Sequence, residues 1–377
     1  MKKNIIRTAR IFFAVILIVS GFVKAVDPLG SAYKFQDFFT AFDVEWLFPA
    51  ALPFAVLLST LEFVVGFAFL FGLKLRLFAP AGLILMAVFT PVTVYIALTD
   101  PVPHCGCFGD AIVISNQATA YKNLLLLAAS TIVFFNRNRI QPLFPPKAGT
   151  FAITAATVLV SGLSVYSLKY LPIIDFRPWK IGSNIAELVA PPSHHSSTIY
   201  LVFENRETGE TRTYPANDYP WDDPEWAAQW KYKTRQETRT NRQTDSPIEN
   251  FNITDESGED LTEAIIAHPG YVYLVVAYDL ISTNKDAFAL KLAPLAEKIE
   301  KNGHDFIVLT ASPPDIIHAF RENHAAAYPF YLSDERELKT VIRSNPGLVL
   351  MKDGVVLGKW PHTAIPSFEY IKNEYKQ

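Results

Sequence analysis

The chain has 377 residues, long enough for two separately cored domains, and a formal charge of −3. That balance shows no basic excess and excludes nucleic acid as the expected partner. Only 2 cysteines occur, which excludes a small disulfide-stapled fold.

In chain order, the first feature is a basic start, Lys2, Lys3, Arg7 and Arg10, followed by an apolar run from Ile11 to about Val26. No small-x-small site closes the run and further apolar spans follow, so it reads as a retained first helix rather than a cleaved signal. Further runs cover about Leu47 to Gly72, Leu75 to Leu98, Asn123 to Phe135 (starting as early as Ala118) and Ala148 to Leu168. Each comes near the length of about 20 residues that a bilayer core demands, and helices satisfy their own backbone groups in lipid. A lipid bilayer is therefore an expected partner.

Basic residues set the expected orientation. Lys74 and Arg76 lie between the second and third spans, and Arg137, Arg139 and Lys147 between the fourth and fifth. With the N-terminus, these segments belong on the cytoplasmic side. The segments Asp27 to Trp46 and Thr99 to Ala120, and everything after Leu171, then face outside. The expectation is a multi-pass membrane protein whose cysteine loop and C-terminal part share the non-cytoplasmic face.

From Pro172 the composition turns polar. Arg177-Pro178-Trp179 lies just beyond the last span, where the tryptophan is expected to anchor at the interface. Thr198 to Glu204 and Glu210 to Tyr214 alternate around a turn at Asn205 to Gly209 and predict a β-hairpin. The polar stretch from Pro215 to Pro247, with Trp221, Trp226 and Trp230, yields no element. His194-His195 and the tryptophans read as solvated loop and local packing before they read as a partner surface. Asn252-Ile253-Thr254 fits a glycosylation sequon that matters only in a eukaryotic secretory setting.

Beyond Pro247, strands are expected at Tyr271 to Ala277, Asp305 to Leu309, and Leu348 to Met351 paired with Val355 to Lys359 through Asp353-Gly354. Helices are expected at Asp286 to Lys301, Pro314 to Asn323, Glu335 to Arg343 and Ser367 to Tyr375. This order predicts a small open sheet covered by helices.

The candidate chemistry centres on Pro101-Val102-Pro103-His104-Cys105-Gly106-Cys107-Phe108-Gly109-Asp110, which holds both cysteines in a polar break between two apolar runs. A thiol pair on the oxidising side of a membrane can cycle between dithiol and disulfide. Gly106 permits a tight ring by accepting positive φ. His104, when protonated, stabilises a thiolate, and Asp110 orients it. A quiet structural disulfide or small fillers in a turn remain open alternatives. Metal binding through Cys105, Cys107 and His104 lacks the usual fourth ligand and the usual cysteine spacing, so no metal is expected. Glu62 lies mid-span, where a carboxylate is costly and faces the bundle interior. It is expected to hydrogen-bond Ser20 or Thr90. A proton relay and a membrane-quinone pocket are the functional alternatives to helix packing there. Lys24 is expected to snorkel to the outer interface.

Ser20-Gly21-Phe22-Val23-Lys24-Ala25-Val26-Asp27-Pro28, Glu62 with Gly66, Cys105-Gly106-Cys107-Phe108-Gly109-Asp110 and Tyr121-Lys122-Asn123 together resemble the DoxX/MauE family of four-helix membrane proteins. The MauE-like branch is linked to methylamine utilisation. The resemblance implies help in forming disulfides of an exported protein client. From about Pro247 the chain resembles the thioredoxin-like fold of TlpA-type proteins, through Ile248-Glu249-Asn250-Phe251, Asp255 to Gly258, and Asn345-Pro346-Gly347 at the position of that family's cis-proline. The corresponding active-site turn, Tyr278 to Lys285, contains no cysteine. Ser282 and Thr283 are expected there as helix caps.

The expected organisation is therefore a four-helix transmembrane domain over 1–140, a fifth helix and connector over 141–190, a hairpin and linker region over 191–246, and a thioredoxin-like domain without catalytic cysteines over 247–377. The fold class is a multi-pass α-helical membrane protein with a C-terminal α/β soluble domain. The expected function is thiol–disulfide redox or maturation of exported proteins through the Cys-Gly-Cys loop. The alternative is a non-enzymatic assembly factor that binds its client through the outer domain.

Overall fold

A computed structural model describes residues 2–189, 199–215, 219–220, 223–237, 248, 251–324 and 326–376. His194, His195, Trp221, Glu249 and Asn250 lie outside the described residues. The chain divides into two compact units, Met1–Arg177 and Pro178–Gln377.

The first unit is helical: α1 (Lys2–Val26), α2 (Pro28–Ala41), α3 (Ala51–Phe71), α4 (Leu75–Thr99), α5 (Asn116–Asn136) and α6 (Pro146–Lys169). Among the described residues, five helices are long and apolar enough to cross a membrane: Lys3–Val26, Glu45–Phe71, Leu75–Thr99, Asn116–Arg139 and Pro146–Lys169. Their outer faces stay apolar, with Leu57, Leu77, Ile84, Phe151 and Val158 all exposed. Side chains this apolar on both the inner and the outer faces suit a lipid surround rather than water. This is a multi-pass membrane protein.

Inside the bundle, Phe13, Ala14 and Leu17 of α1 meet Val65 and Phe69 of α3, with Phe13 and Phe69 rings 4.5 Å apart. The two backbones approach closely because glycine stands at the crossing. A Cβ on Gly21 would lie 2.5 Å from the Phe63 amide nitrogen, and one on Gly66 would lie 2.9 Å from the Ala14 carbonyl. Small residues of this kind are what permit tight helix contacts in lipid.

The segment from Asp27 to Trp46, expected as a loop, is mostly helix. Asp27 Oδ1 accepts from the Gly30 amide at 2.9 Å and Pro28 occupies the first turn. Together they make a strong helix start. The turn between α3 and α4 and the stretch after α5 lie at one end of the bundle, where the Leu143 amide donates to the Phe71 carbonyl at 2.9 Å. A Cβ on Gly72 would lie 2.8 Å from an Arg10 guanidinium nitrogen, so α1 starts at that end too. The loop from Asp100 to Ser115 lies at the other end.

The second unit holds a three-stranded antiparallel sheet and a five-stranded mixed sheet. In the first, β1 (Ile199–Asn205) pairs with β2 (Thr211–Pro215) and with β3 (Trp230–Glu237). The β1–β2 hairpin matches the expected one, and β3 gives structure to part of the stretch that yielded no element. Phe203, Tyr214, Trp226 and Trp230 pack together on this sheet.

The five-stranded sheet contains β4 (Tyr271–Val276), β5 (Asp305–Thr310), β6 (Phe330–Leu332), β7 (Gly347–Lys352) and β8 (Val355–Pro361), in the order β6-β5-β4-β7-β8. β4 runs parallel to β5 and antiparallel to β7. Helices Ala293–Lys301, Pro314–His324, Glu335–Val341 and Phe368–Tyr375 follow the expected places. β4 is buried nearly throughout, with Tyr273, Leu274, Val275 and Val276 all inaccessible, as a central strand covered on both faces must be.

Two local expectations are corrected here. Trp179 is fully buried, its ring 4.8 Å from Phe251 and its carbonyl accepting from Lys359 Nζ at 3.1 Å. It is a core residue and not an interface anchor, because its indole is large enough to fill that space. The helix beginning at Lys285 is capped by Asn284, whose Oδ1 accepts from the Ala287 amide at 2.9 Å, and not by Ser282 or Thr283. Ser282 instead donates to Asp279 Oδ2 at 2.5 Å. The Asn345–Pro346 peptide bond is cis.

Candidate functional site

The loop between α4 and α5 is tied down at three points. At its ends, Asn116 Nδ2 donates to Asp100 Oδ1 at 3.0 Å and to the Val102 carbonyl at 2.9 Å. In its middle, the Gly109 amide donates to the Gly106 carbonyl at 3.0 Å, closing a turn. Gly106 has φ +69° and Gly109 φ +54°, the left-handed region that a side chain resists. Phe108 and Val102 are buried and act as the loop's apolar feet.

Within that frame the two sulfurs face each other. Cys105 Sγ and Cys107 Sγ are 3.6 Å apart and both cysteines are free and partly buried. The hydrogen bond between them splits their acidities. Cys107 is shifted below the ordinary thiol range by its hydrogen bond with Cys105, and the charges of Lys122 and Lys24 add to the shift against the opposing cost of burial. Cys105 is shifted above it by the same hydrogen bond, with burial adding to the effect. The arrangement favours one thiolate hydrogen-bonded by one thiol.

Beneath the loop lies a buried polar network. Ser20 and Lys24 stand four residues apart on α1 and so share a face. Lys24 Nζ contacts both Glu62 carboxylate oxygens at 2.8 Å and the Ser20 hydroxyl at 2.9 Å. The Ser20 hydroxyl lies 2.7 Å from Glu62 Oε2 and 2.7 Å from the Cys107 carbonyl. Both charged residues are buried. Lys24 therefore does not snorkel; an anion within reach outweighs the pull of the interface. Glu62 takes Ser20 as its partner and not Thr90, whose hydroxyl donates to the Asn123 carbonyl at 3.3 Å.

Position varies among the other expected site residues. His104 is exposed on the loop and Asp110 is half-buried. Both line a cleft of about 330 Å³ with Lys34, Cys107 and Ile112. A second cleft of about 310 Å³ is bounded by Asp27, Gly109, Asp110, Phe176 and Arg177. Pro346 belongs to the other unit. There Asn345 Nδ2 donates to the Asp279 carbonyl at 2.8 Å, joining the cis-proline turn to the cysteine-free Tyr278 to Lys285 turn. Among the described residues, no group of three His, Cys, Asp or Glu side chains is placed to hold a metal ion.

Sequence reasoning did not find Lys24 or Lys122 as site residues. Lys122 Nζ lies 5.2 Å from the Phe108 ring centroid and donates to Asn123 Oδ1 at 2.9 Å. The available signal was a lysine at each of two apolar span ends facing the cysteine loop.

No curated protein and no solved structure matches the chain. Residues 2–136 match the family model described as methylamine utilisation protein MauE. That match spans α1 to α5 and includes the cysteine loop and the Ser20–Lys24–Glu62 network. The segment from α1 to α5 is therefore similar to the MauE family.

Proposed function

We propose that the protein carries out thiol–disulfide exchange with exported proteins through Cys105 and Cys107. The observation that carries this reading is the 3.6 Å contact between the two sulfurs, in a loop at the bundle end opposite Arg10 and Gly72. When the pair is a disulfide, a client thiolate attacks one of its sulfurs and the Cys105–Cys107 bond breaks. The client's second thiolate then displaces the loop sulfur from the mixed disulfide. Two electrons pass from client to loop, and the two cysteines take up the two protons that the client thiols give up. The reverse reaction reduces a client disulfide by the same steps.

In this reading the protein sits in a bacterial inner membrane with its N-terminus cytoplasmic. The positions of Lys74, Arg76, Arg137 and Arg139 support that orientation, and the loop and the second unit are then periplasmic. The mixed α/β unit is read as a thioredoxin-like client-binding domain. Its parallel β4–β5 pair and antiparallel β7–β8 pair support that assignment. Since both cysteines of the chain lie in the membrane unit, exchange chemistry belongs to the loop alone.

The test is thiol trapping in intact cells. A membrane-impermeant maleimide is added with and without mild reduction, and labelling of Cys105 and Cys107 is read by mass. Labelling that requires mild reduction is expected. If the thiols stay free in cells, or the exported disulfide proteins of Cys105→Ser and Cys107→Ser strains remain normally oxidised, the alternative of a client-binding assembly factor takes its place.

A further inference from the structure

Thiol–disulfide exchange needs one sulfur that attacks and a second that resolves, and the two cysteines of the loop have unlike surroundings. The cleft of about 330 Å³ is walled by Lys34, His104, Gly106, Cys107, Gly109, Asp110 and Ile112 to Ile114, and Cys105 is not among its lining residues. The side of the loop facing this cleft is therefore the Cys107 side. Cys107 is also the anchored member of the pair, since its carbonyl lies 2.7 Å from the Ser20 hydroxyl, which is itself held by Lys24 and Glu62. Lys122 is fixed from the α5 side by its bond to Asn123 Oδ1.

We infer that Cys107 is the exchanging sulfur, Cys105 the resolving thiol, and Lys122, held over the ring of Phe108 next to Cys107, a positioning residue that keeps positive charge on that side of the loop. This rests on the exchange reading above and assigns the roles within it. The Cys107 thiolate attacks one sulfur of a client disulfide, forming a Cys107–client bond and expelling the client's other sulfur as a thiolate. Cys105 then gives up its proton, which the expelled thiolate takes, and attacks Cys107 Sγ. The Cys105–Cys107 bond forms, the Cys107–client bond breaks, and the client leaves with both of its sulfurs reduced. A second proton comes from water.

The charged and titratable groups around Cys107 come from several elements. The loop supplies Cys105, His104 and Asp110, α1 supplies Lys24, α2 Lys34, α3 Glu62 and α5 Lys122. Lys24 and Glu62 act on Cys107 in opposite senses, Lys24 lowering its pKa and Glu62 raising it. Lys122 Nζ contacts the Asn123 side-chain amide and the Phe108 ring, neither of which carries a counter-charge. Its charge is therefore the one that a single substitution can remove cleanly.

The experiment uses the reduced full-length protein in detergent, brief exposure to iodoacetamide across a pH series, and peptide mass to locate the label. Cys107 is expected to carry roughly tenfold or more of the label on Cys105 at neutral pH, since one unit of thiol acidity changes the thiolate fraction about tenfold. In Lys122→Met the pH midpoint for Cys107 is expected to rise by about one unit, the scale of a nearby charge. Lys122→Arg is expected to restore it. A purely structural role for Lys122 would scale the rate at all pH values and leave the midpoint in place, which overturns the assignment. Cys105 reacting first also overturns it. Alkylation needs no client, so either result leaves exchange itself standing, whereas absence of cycling in intact cells overturns exchange.

Discussion

Removing the carboxylate of Glu62 while leaving Lys24 in place tests the buried network most directly. In the native chain the ammonium has three contacts, two to Glu62 oxygens at 2.8 Å and one to the Ser20 hydroxyl at 2.9 Å, so its donors are used. Glu62→Leu removes two of them and the only counter-charge among those contacts. Breaking a buried pair from one side costs about 3–5 kcal/mol, because the remaining charge is left desolvated. At about 1.4 kcal/mol per tenfold, that is a drop of two to three and a half decades in the folding equilibrium. The companion variant, Lys24→Met with Glu62→Leu, removes both charges and fills the space with apolar atoms. Such replacements are commonly neutral or stabilising by about 1–4 kcal/mol. The expected order of thermal midpoints in detergent is therefore double variant at or above wild type, and Glu62→Leu clearly lowest. The reasoning is refuted if Glu62→Leu melts with the wild type. It is refuted equally if the double variant falls below the single one, since the ammonium would then be finding water rather than depending on Glu62.

Further outcomes follow from the loop and from the α/β unit. Gly106→Ala puts a Cβ at φ +69° and 3.0 Å from Lys34 Cγ, so a cost of about 1–2 kcal/mol and slower closure of the Cys105–Cys107 disulfide are expected, read by the rate of oxidation with a mild oxidant. Because Cys107 is more acidic than an ordinary thiol, its alkylation should persist at pH values below the usual thiol range of about 8.5 and fall only when pH drops through its lowered pKa; a profile centred at or above that range contradicts the thiolate assignment. Asn345→Ala removes the 2.8 Å bond to the Asp279 carbonyl, with a cost of about 1–3 kcal/mol, and faster hydrogen exchange over Asp279 to Lys285 is the expected readout. Trp179→Ala empties a fully buried indole site, costing about 3–5 kcal/mol, whereas an interface anchor would lose little; limited proteolysis of the full chain from Pro178 onward distinguishes the two.

The spans and the α/β order were legible because each rests on a local pattern. Apolar length marked α3, α4 and α6, and Asp353-Gly354 marked the β7–β8 hairpin, where Asp353 and Gly354 both take positive φ. β6 escaped notice because only three residues form it and its pairing partner β5 lies twenty residues earlier. β3 was hidden for another reason: its apolar alternation is short, Trp230 and Tyr232 alternating with Lys231 and Lys233 before the sequence turns wholly polar at Thr234. The helix α2 was concealed by its aromatic content, although Asp27-Pro28 carried its start in plain view. Its Phe35 and Phe39 rings lie 6.3 and 6.4 Å from Phe54 of α3, a contact decided by tertiary packing.

The site divides along the same line. Cys105 and Cys107 are neighbours in sequence, so their pairing followed from spacing alone. Lys24 and Glu62 are 38 positions apart, and each considered singly invites a different solution. A lone lysine near a span end snorkels, and a lone mid-span carboxylate seeks a neutral hydroxyl. Only the crossing of α1 and α3, which Gly21 and Gly66 make close, brings ammonium and carboxylate within 2.8 Å and changes the lower-energy choice for both. Because Ser20 contacts both Glu62 and the Cys107 carbonyl, that crossing also fixes the cysteine loop. Packing between two apolar helices thus determines where a sulfur stands outside them, and a substitution at Gly21 or Gly66 is expected to disturb Cys107 without touching it.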